Sequence, residues 1–136
     1  MKLFNQINRL ENAMDATWLR QEVIAQNLAN ASTPGYKSSR VEFETAFRNA
    51  LAKDGQNFAL KRTRDKHMEF SEQTDPMKVR AQVVVNASTT MRMDDNNVDP
   101  DYEMTELAKN TIQYDALTTK LNAELARIKM VIREGK

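Results

Sequence analysis

Apolar residues recur along the first thirty positions in alternating steps of four and three. The positions are Leu3, Ile7, Leu10, Met14, Thr17, Gln21, Ile24, Leu28 and Ala31, and seven of these nine are apolar. This is the heptad stripe that a long helix offers to a partner helix. Ala13, Trp18, Val23 and Ala25 lie beside the stripe and widen it. The pattern predicts a helix from Leu3 to about Asn30. It should end in Ala31-Ser32-Thr33-Pro34-Gly35, where Pro34 disfavours a helical Thr33 and Pro-Gly signals a turn.

A second stripe runs through Met104, Leu107, Thr111, Tyr114, Thr118, Leu121, Leu125, Ile128 and Ile132, again seven of nine apolar. Its start is marked by Asp99 as N-cap, Pro100 at the first helical position, and Asp101 and Glu103 near the positive end of the dipole. Arg127, Lys129 and Arg133 sit toward the opposite end.

Between the stripes, Phe43, Phe47 and Leu51, with Ala46 and Ala50, predict a short amphipathic helix that stops near Asp54-Gly55. Asn57 to Phe70 is basic and weakly patterned. Val79, Ala81, Val83 and Val85 alternate with Arg80, Gln82 and Val84, a strand signal enriched in β-branched residues. Thr89 to Met93 reads as its extension or its partner.

The expected fold is therefore mainly α. Long N- and C-terminal helices pair as a coiled coil, and a short central insert contains a small helix and one or more β-strands. Residues 1–31 form the first helix, 32–98 the loop and insert, and 99–136 the last helix. At ~1.5 Å per residue the terminal helices would be roughly 40 and 50 Å long. A compact chain of this size has a diameter of about 35–40 Å. The last helix should overrun the globule while its stripe stays apolar, so its seam pairs with the first helix alone or is completed by other chains.

Composition fits long elements. The chain of 136 residues has three glycines and three prolines, where average usage gives roughly 16 together. Twenty Lys and Arg nearly balance 19 Asp and Glu, which is not a nucleic-acid profile. No cysteine is present, so disulfides, thiolate metal sites and thiol catalysis are excluded. The start breaks into polar residues before an h-region forms, and no run reaches the ~18 apolar residues of a membrane span. Those signals predict a soluble chain without a cleaved export signal.

Candidate chemistry adds little. Asp95, Asn97, Asp99, Asp101 and Glu106 have the spacing of a calcium loop, but Pro100 occupies the sixth position, which demands glycine. His67 is the only histidine and its neighbours Lys66 and Met68 read as surface. The run Lys61-Arg62-Thr63-Arg64-Asp65-Lys66 reads as a solvated face or a protein contact. Asn30-Ala31-Ser32 and Asn86-Ala87-Ser88 match the glycosylation sequon only by pattern. The residues point to no catalytic, cofactor or metal site.

The stretch Ala25-Gln26-Asn27-Leu28-Ala29-Asn30-Ala31-Ser32-Thr33-Pro34-Gly35-Tyr36-Lys37 resembles the N-terminal signature of the bacterial flagellar rod and hook protein family, written A-x-N-[LI]-A-N followed by T-P-G-[YF]-[KR]. Met93-Asp94-Asp95-Asn96-Asn97-Val98-Asp99, with Glu103, Leu107, Ala108, Asn110, Tyr114 and Leu117, is similar to its proximal rod members. Asp95 departs from that pattern where glycine is common, and Pro100 where an aliphatic residue is frequent.

The resemblance implies a non-enzymatic subunit of the basal-body rod, exported uncleaved by the flagellum's own type III apparatus and stacked helically around the export channel. The terminal helices would form the inner tube. It implies partners among other copies and other proximal rod proteins, the hook-basal body adaptor and the export gate, with the distal rod reached indirectly, and it implies no nucleic acid, membrane span or cofactor. Carried over as the rod signature are Asn27, Leu28, Ala29, Asn30, Thr33, Pro34, Gly35 and Tyr36, with Asn110 and Tyr114 from the last helix. Leu3, Ile7, Leu10, Met14, Ile24, Leu28, Leu107, Tyr114, Leu121, Leu125, Ile128 and Ile132 are the expected assembly seam. On the stripes alone, a soluble helical adaptor or export chaperone that binds a client helix fits as well.

Overall fold

The computed structural model describes residues 2–54, 79–87 and 93–134, with the side chains of 2, 3, 53, 54 and 134 aside. The elements in chain order are α1 (Lys2–Ala29), β1 (Ser39–Glu42), α2 (Glu44–Asp54), β2 (Gln82–Val85) and α3 (Pro100–Glu134). The basic segment 57–70 and most of Thr89 to Met93 lie outside the described residues. Both terminal helices, the short helix ending at Asp54 and the strand through Val85 follow the pattern of the sequence. The partner of β2 is β1, which the sequence reading did not assign. The two strands pair antiparallel, with Val41 opposite Val83 and Ser39 opposite Val85.

α1 and α3 pack side by side and run in opposite directions. Asn27 meets Glu103 near one end, and Thr17 meets Asn110 farther along. Beyond that, Gln6 and Arg9 share a groove with Glu124 and Arg127. α1 also has a second buried face. Ala16 and Val23 meet Val41 of β1, Phe43 and Ala50 around α2, and Val79 ahead of β2, and together these residues form the core. The Phe43 and Phe47 rings stack with centroids 4.9 Å apart, which is the contact the four-residue spacing anticipates.

The α3 interior departs from the stripe read in the sequence. Leu107, Tyr114, Leu121 and Ile128 are half-buried as the pattern implies. The other inward row is Glu103, Asn110, Leu117 and Glu124, one residue before the apolar row expected there. Of the expected row, Thr118 is half-buried whereas Met104, Thr111, Leu125 and Ile132 are exposed. The polar row is tolerated because its members find partners, although the buried Asn110 Oδ1 has none. Asn110 donates from Nδ2 to the Thr17 carbonyl at 2.9 Å. Glu124 accepts from Arg127 at 3.1 Å and ion-pairs with Lys120 at 3.7 Å. A buried polar side chain that is hydrogen-bonded can occupy a position that an unpaired one could not.

Candidate functional site: an asparagine clasp

The last turn of α1 leaves carbonyl groups that the helix itself cannot satisfy. The chain past Ala29 satisfies some of them locally. Asn30 donates its backbone N–H to Gln26 and Asn27 carbonyls at 3.1 Å each, and its Nδ2 to the Gln26 carbonyl at 2.8 Å. Thr33 returns its N–H to the Asn30 carbonyl at 3.0 Å and its hydroxyl to Asn30 Oδ1 at 3.3 Å. Gly35 then takes a left-handed φ of 71°, which glycine adopts without steric cost, and its N–H reaches the Asp94 carbonyl at 2.8 Å.

Asn96 closes the remaining gap from the other half of the chain. Its Nδ2 lies 3.0, 3.1 and 2.9 Å from the carbonyl oxygens of Asn30, Ala31 and Thr33. Its Oδ1 accepts from the Val98 N–H at 2.7 Å. The residue is completely buried. Asn97 does the same for the sheet, accepting from the Ser38 N–H at 2.6 Å and donating to the Asn86 carbonyl at 2.7 Å. Asp95, between Asp94 and this pair, has φ 62°. That left-handed conformation accounts for glycine being usual there in the resembling pattern, and Asp is among the residues that tolerate it. Lys37 Nζ donates to the Asp95 carbonyl at 2.7 Å.

Asn27 is the second clasp. Its Nδ2 donates to the Ser39 carbonyl at 2.8 Å and to Glu103 Oε1 at 3.0 Å. Its Oδ1 accepts from the Ser39 N–H at 2.9 Å and, at the long limit of 3.5 Å, from Tyr36 Oη. One completely buried amide thus joins α1, β1 and the first turn of α3. That turn is capped as expected. Asp99 Oδ1 accepts from the N–H groups of Asp101 at 3.0 Å and Tyr102 at 3.3 Å, with Pro100 between them and the cap.

Burial pushes the Glu103 carboxyl above its ordinary range, the Asn27 hydrogen bond pulls it back, and the nearby charges of Glu106 and Asp99 push it up again. The sign of the consequence follows from linkage. The folded state holds the Glu103 proton more tightly than the unfolded chain. The stability associated with the protonated group is complete below about pH 4.5, its unperturbed value, and is lost as pH rises through the folded pKa. Glu103→Gln keeps an oxygen for Asn27 and removes the titration. In urea melts from pH 4 to 7, the variant should gain on the natural chain as pH rises above 4.5, and a constant difference across that range would contradict the assignment.

The signature residues carried over from the sequence all lie at or beside this clasp. Asn27 is at its centre, with Leu28, Asn30 and Tyr36 half-buried around it and Ala29, Thr33, Pro34 and Gly35 at the exposed rim. Asn110 lies buried farther along the helix pair, and Tyr114 is half-buried. Of the expected seam, Ile24 is buried and Ile7, Leu10, Met14, Leu28, Leu107, Tyr114, Leu121 and Ile128 are half-buried, whereas Leu125 and Ile132 are exposed; the Leu3 side chain lies outside the description. Trp18, read as widening the stripe, is 64% exposed. Sequence reasoning missed the roles of Asn96, Asn97 and Glu103. Their signal is the paired asparagines of Asn96-Asn97-Val98, which in the sequence carry only the family resemblance.

The clasp joins the two terminal helices through Asn27 and Asn96, and its turn carries the residues of the flagellar rod and hook signature. The family model for flagella basal body rod proteins matches residues 7–37, from the first heptad stripe through the clasp turn. The chain is 37% identical over 137 residues to the flagellar basal body rod protein FlgB of Bacillus subtilis (strain 168), covering 100% of both. It is 34% identical over 106 residues to FlgB of Borreliella burgdorferi, covering 77% of this chain and 78% of the relative. Against FlgB of Escherichia coli (strain K12) it is 29% identical over 128 residues, covering 92% and 91%. The chain belongs to the FlgB family of flagellar basal body rod proteins.

Proposed function

We propose that this rod-family chain is a non-enzymatic subunit of the proximal rod that stacks helically around the export channel and transmits torque. In this reading the chain reaches the periplasmic rod through the flagellum's own type III apparatus without losing a leader. It assembles there with other copies and other proximal rod proteins, beside the hook-basal body adaptor and the export gate.

The observation that carries the reading is the antiparallel helix pair whose apolar residues continue past what the pair covers. Met104, Ile112, Leu125, Val131 and Ile132 are 46–71% exposed on α3. Such residues favour association that removes them from water, at roughly 25 cal/mol per Å² buried. Heterologous contacts between copies that do not close into a ring produce a filament. The clasp supports the mechanical part. It fixes the end of α1 to the start of α3 through hydrogen bonds rather than through a flexible joint, so load applied to one helix reaches the other.

A helical adaptor or chaperone would use the same exposed residues, but the family membership over the full chain favours a rod. Deletion of the gene should abolish swimming, with recovery when the chain is supplied in trans. A deletion strain that swims normally, with no second copy of the gene, would sink the proposal.

A further inference from the structure

We propose that the outward face of α1 and the distal half of α3 are complementary surfaces by which one copy of this chain docks against the next. The inference rests on the rod reading above and deepens it by naming the two faces and the force that orients them.

Exposed residues on α1 follow their own heptad stripe, through Phe4, Glu11, Asp15, Trp18, Glu22 and Ala25. Phe4 is 52% and Trp18 64% exposed, an arrangement that leaves large apolar surface in water. Every exposed charged side chain described on α1 is acidic. Arg9 is half-buried, and Arg20 is half-buried and pairs with Glu44. Glu11, Asp15 and Glu22 form no ion pair with another described residue.

The distal half of α3 has the opposite character. Lys120, Arg127, Lys129 and Arg133 are exposed, whereas Glu124, the acid described among them, is buried. Lys120 and Arg127 share Glu124. Lys129 and Arg133 form no ion pair with another described residue. Leu125, Lys129 and Ile132 recur at steps of four and three, so one face presents apolar and basic side chains together.

These two faces select the geometry. Like charge opposes α1 against α1 and distal α3 against distal α3, so symmetric pairing of either face with itself is disfavoured. Acid against base, with Trp18 meeting Leu125 where Asp15 meets Lys129, is a head-to-tail contact, and such a contact propagates wherever its rotation does not close. The occupant of each face is therefore a second copy.

The chain has no cysteine, which makes the contact directly testable in cells carrying Asp15→Cys with Lys129→Cys. Oxidation of their basal bodies should produce a ladder of linked copies that neither single variant produces. Independently, Glu11→Lys with Asp15→Lys should abolish swimming, and adding Lys129→Glu with Arg133→Glu in the same chain should restore it. The proposal is overturned by motile double-cysteine cells without a ladder, by a cross-link to a different protein, by charge reversal without loss of swimming, or by a swap that fails to restore it. A deletion strain that still builds a rod refutes the rod reading itself. A deletion strain without a rod, combined with no ladder, refutes only the pairing of these faces.

Discussion

Asn96→Asp should lower the stability of the purified chain by about 4 kcal/mol at neutral pH, a large share of the ~5–15 kcal/mol available to a domain. The substitution changes one atom group and no shape. Oδ1 can still accept from the Val98 N–H, but the Nδ2 that faces the Asn30, Ala31 and Thr33 carbonyls becomes an acceptor. Four oxygens would then converge in a completely buried site, where an uncompensated charge is most costly. The new carboxyl should be protonated at a pH above its ordinary range, so the loss should shrink on acidification. Asn96→Ala, which removes the donor without adding charge, should cost about 3 kcal/mol with no such recovery. Urea unfolding at pH 5 and pH 7.5 measures both. Equal stability of the Asp variant and the natural chain at pH 7.5 would show that the amide does not hold the turn.

The other large effect is at Asn27. Replacing it by leucine retains volume but strands the Ser39 N–H and carbonyl and the Glu103 carboxyl, each of which the amide now serves. Leaving several buried polar groups unpaired costs about 3–4 kcal/mol, or roughly 10 °C in Tm for a domain of this size. The variant also tests the link between elements. In hydrogen exchange, the amides of β1 and the first turn of α3 should lose protection together, because one side chain bridges them. Loss confined to the end of α1 would mean that Asn27 is only a local cap.

The difference between these two residues illustrates what the sequence made legible. The long helices were readable because heptad spacing over nine positions is hard to produce by chance, and because Asp99-Pro100 at one end and Pro34-Gly35 at the other limit where helices can run. α2 was readable from Phe43, Phe47 and Leu51 on one face. β1 was not, because Ser39–Glu42 has a single inward apolar residue, Val41, and four residues cannot display an alternation. The inward row of α3 was misplaced for a different reason. Hydrophobic periodicity assumes that what is buried is apolar, whereas Glu103, Asn110 and Glu124 are buried through partners on other turns and on α1. The clasp lies at the limit of such reasoning. Both halves stand out as motifs, but nothing local to residue 96 shows that its amide completes the end of a helix more than sixty residues earlier.

As proposed above, this chain is a subunit on which the proximal rod depends. That dependence is tested most directly by cryo-electron tomography of basal bodies in the deletion strain. The expected image is an MS ring with no rod above it, and a normal rod once the chain is restored. A deletion strain whose basal bodies carry a complete rod would contradict it.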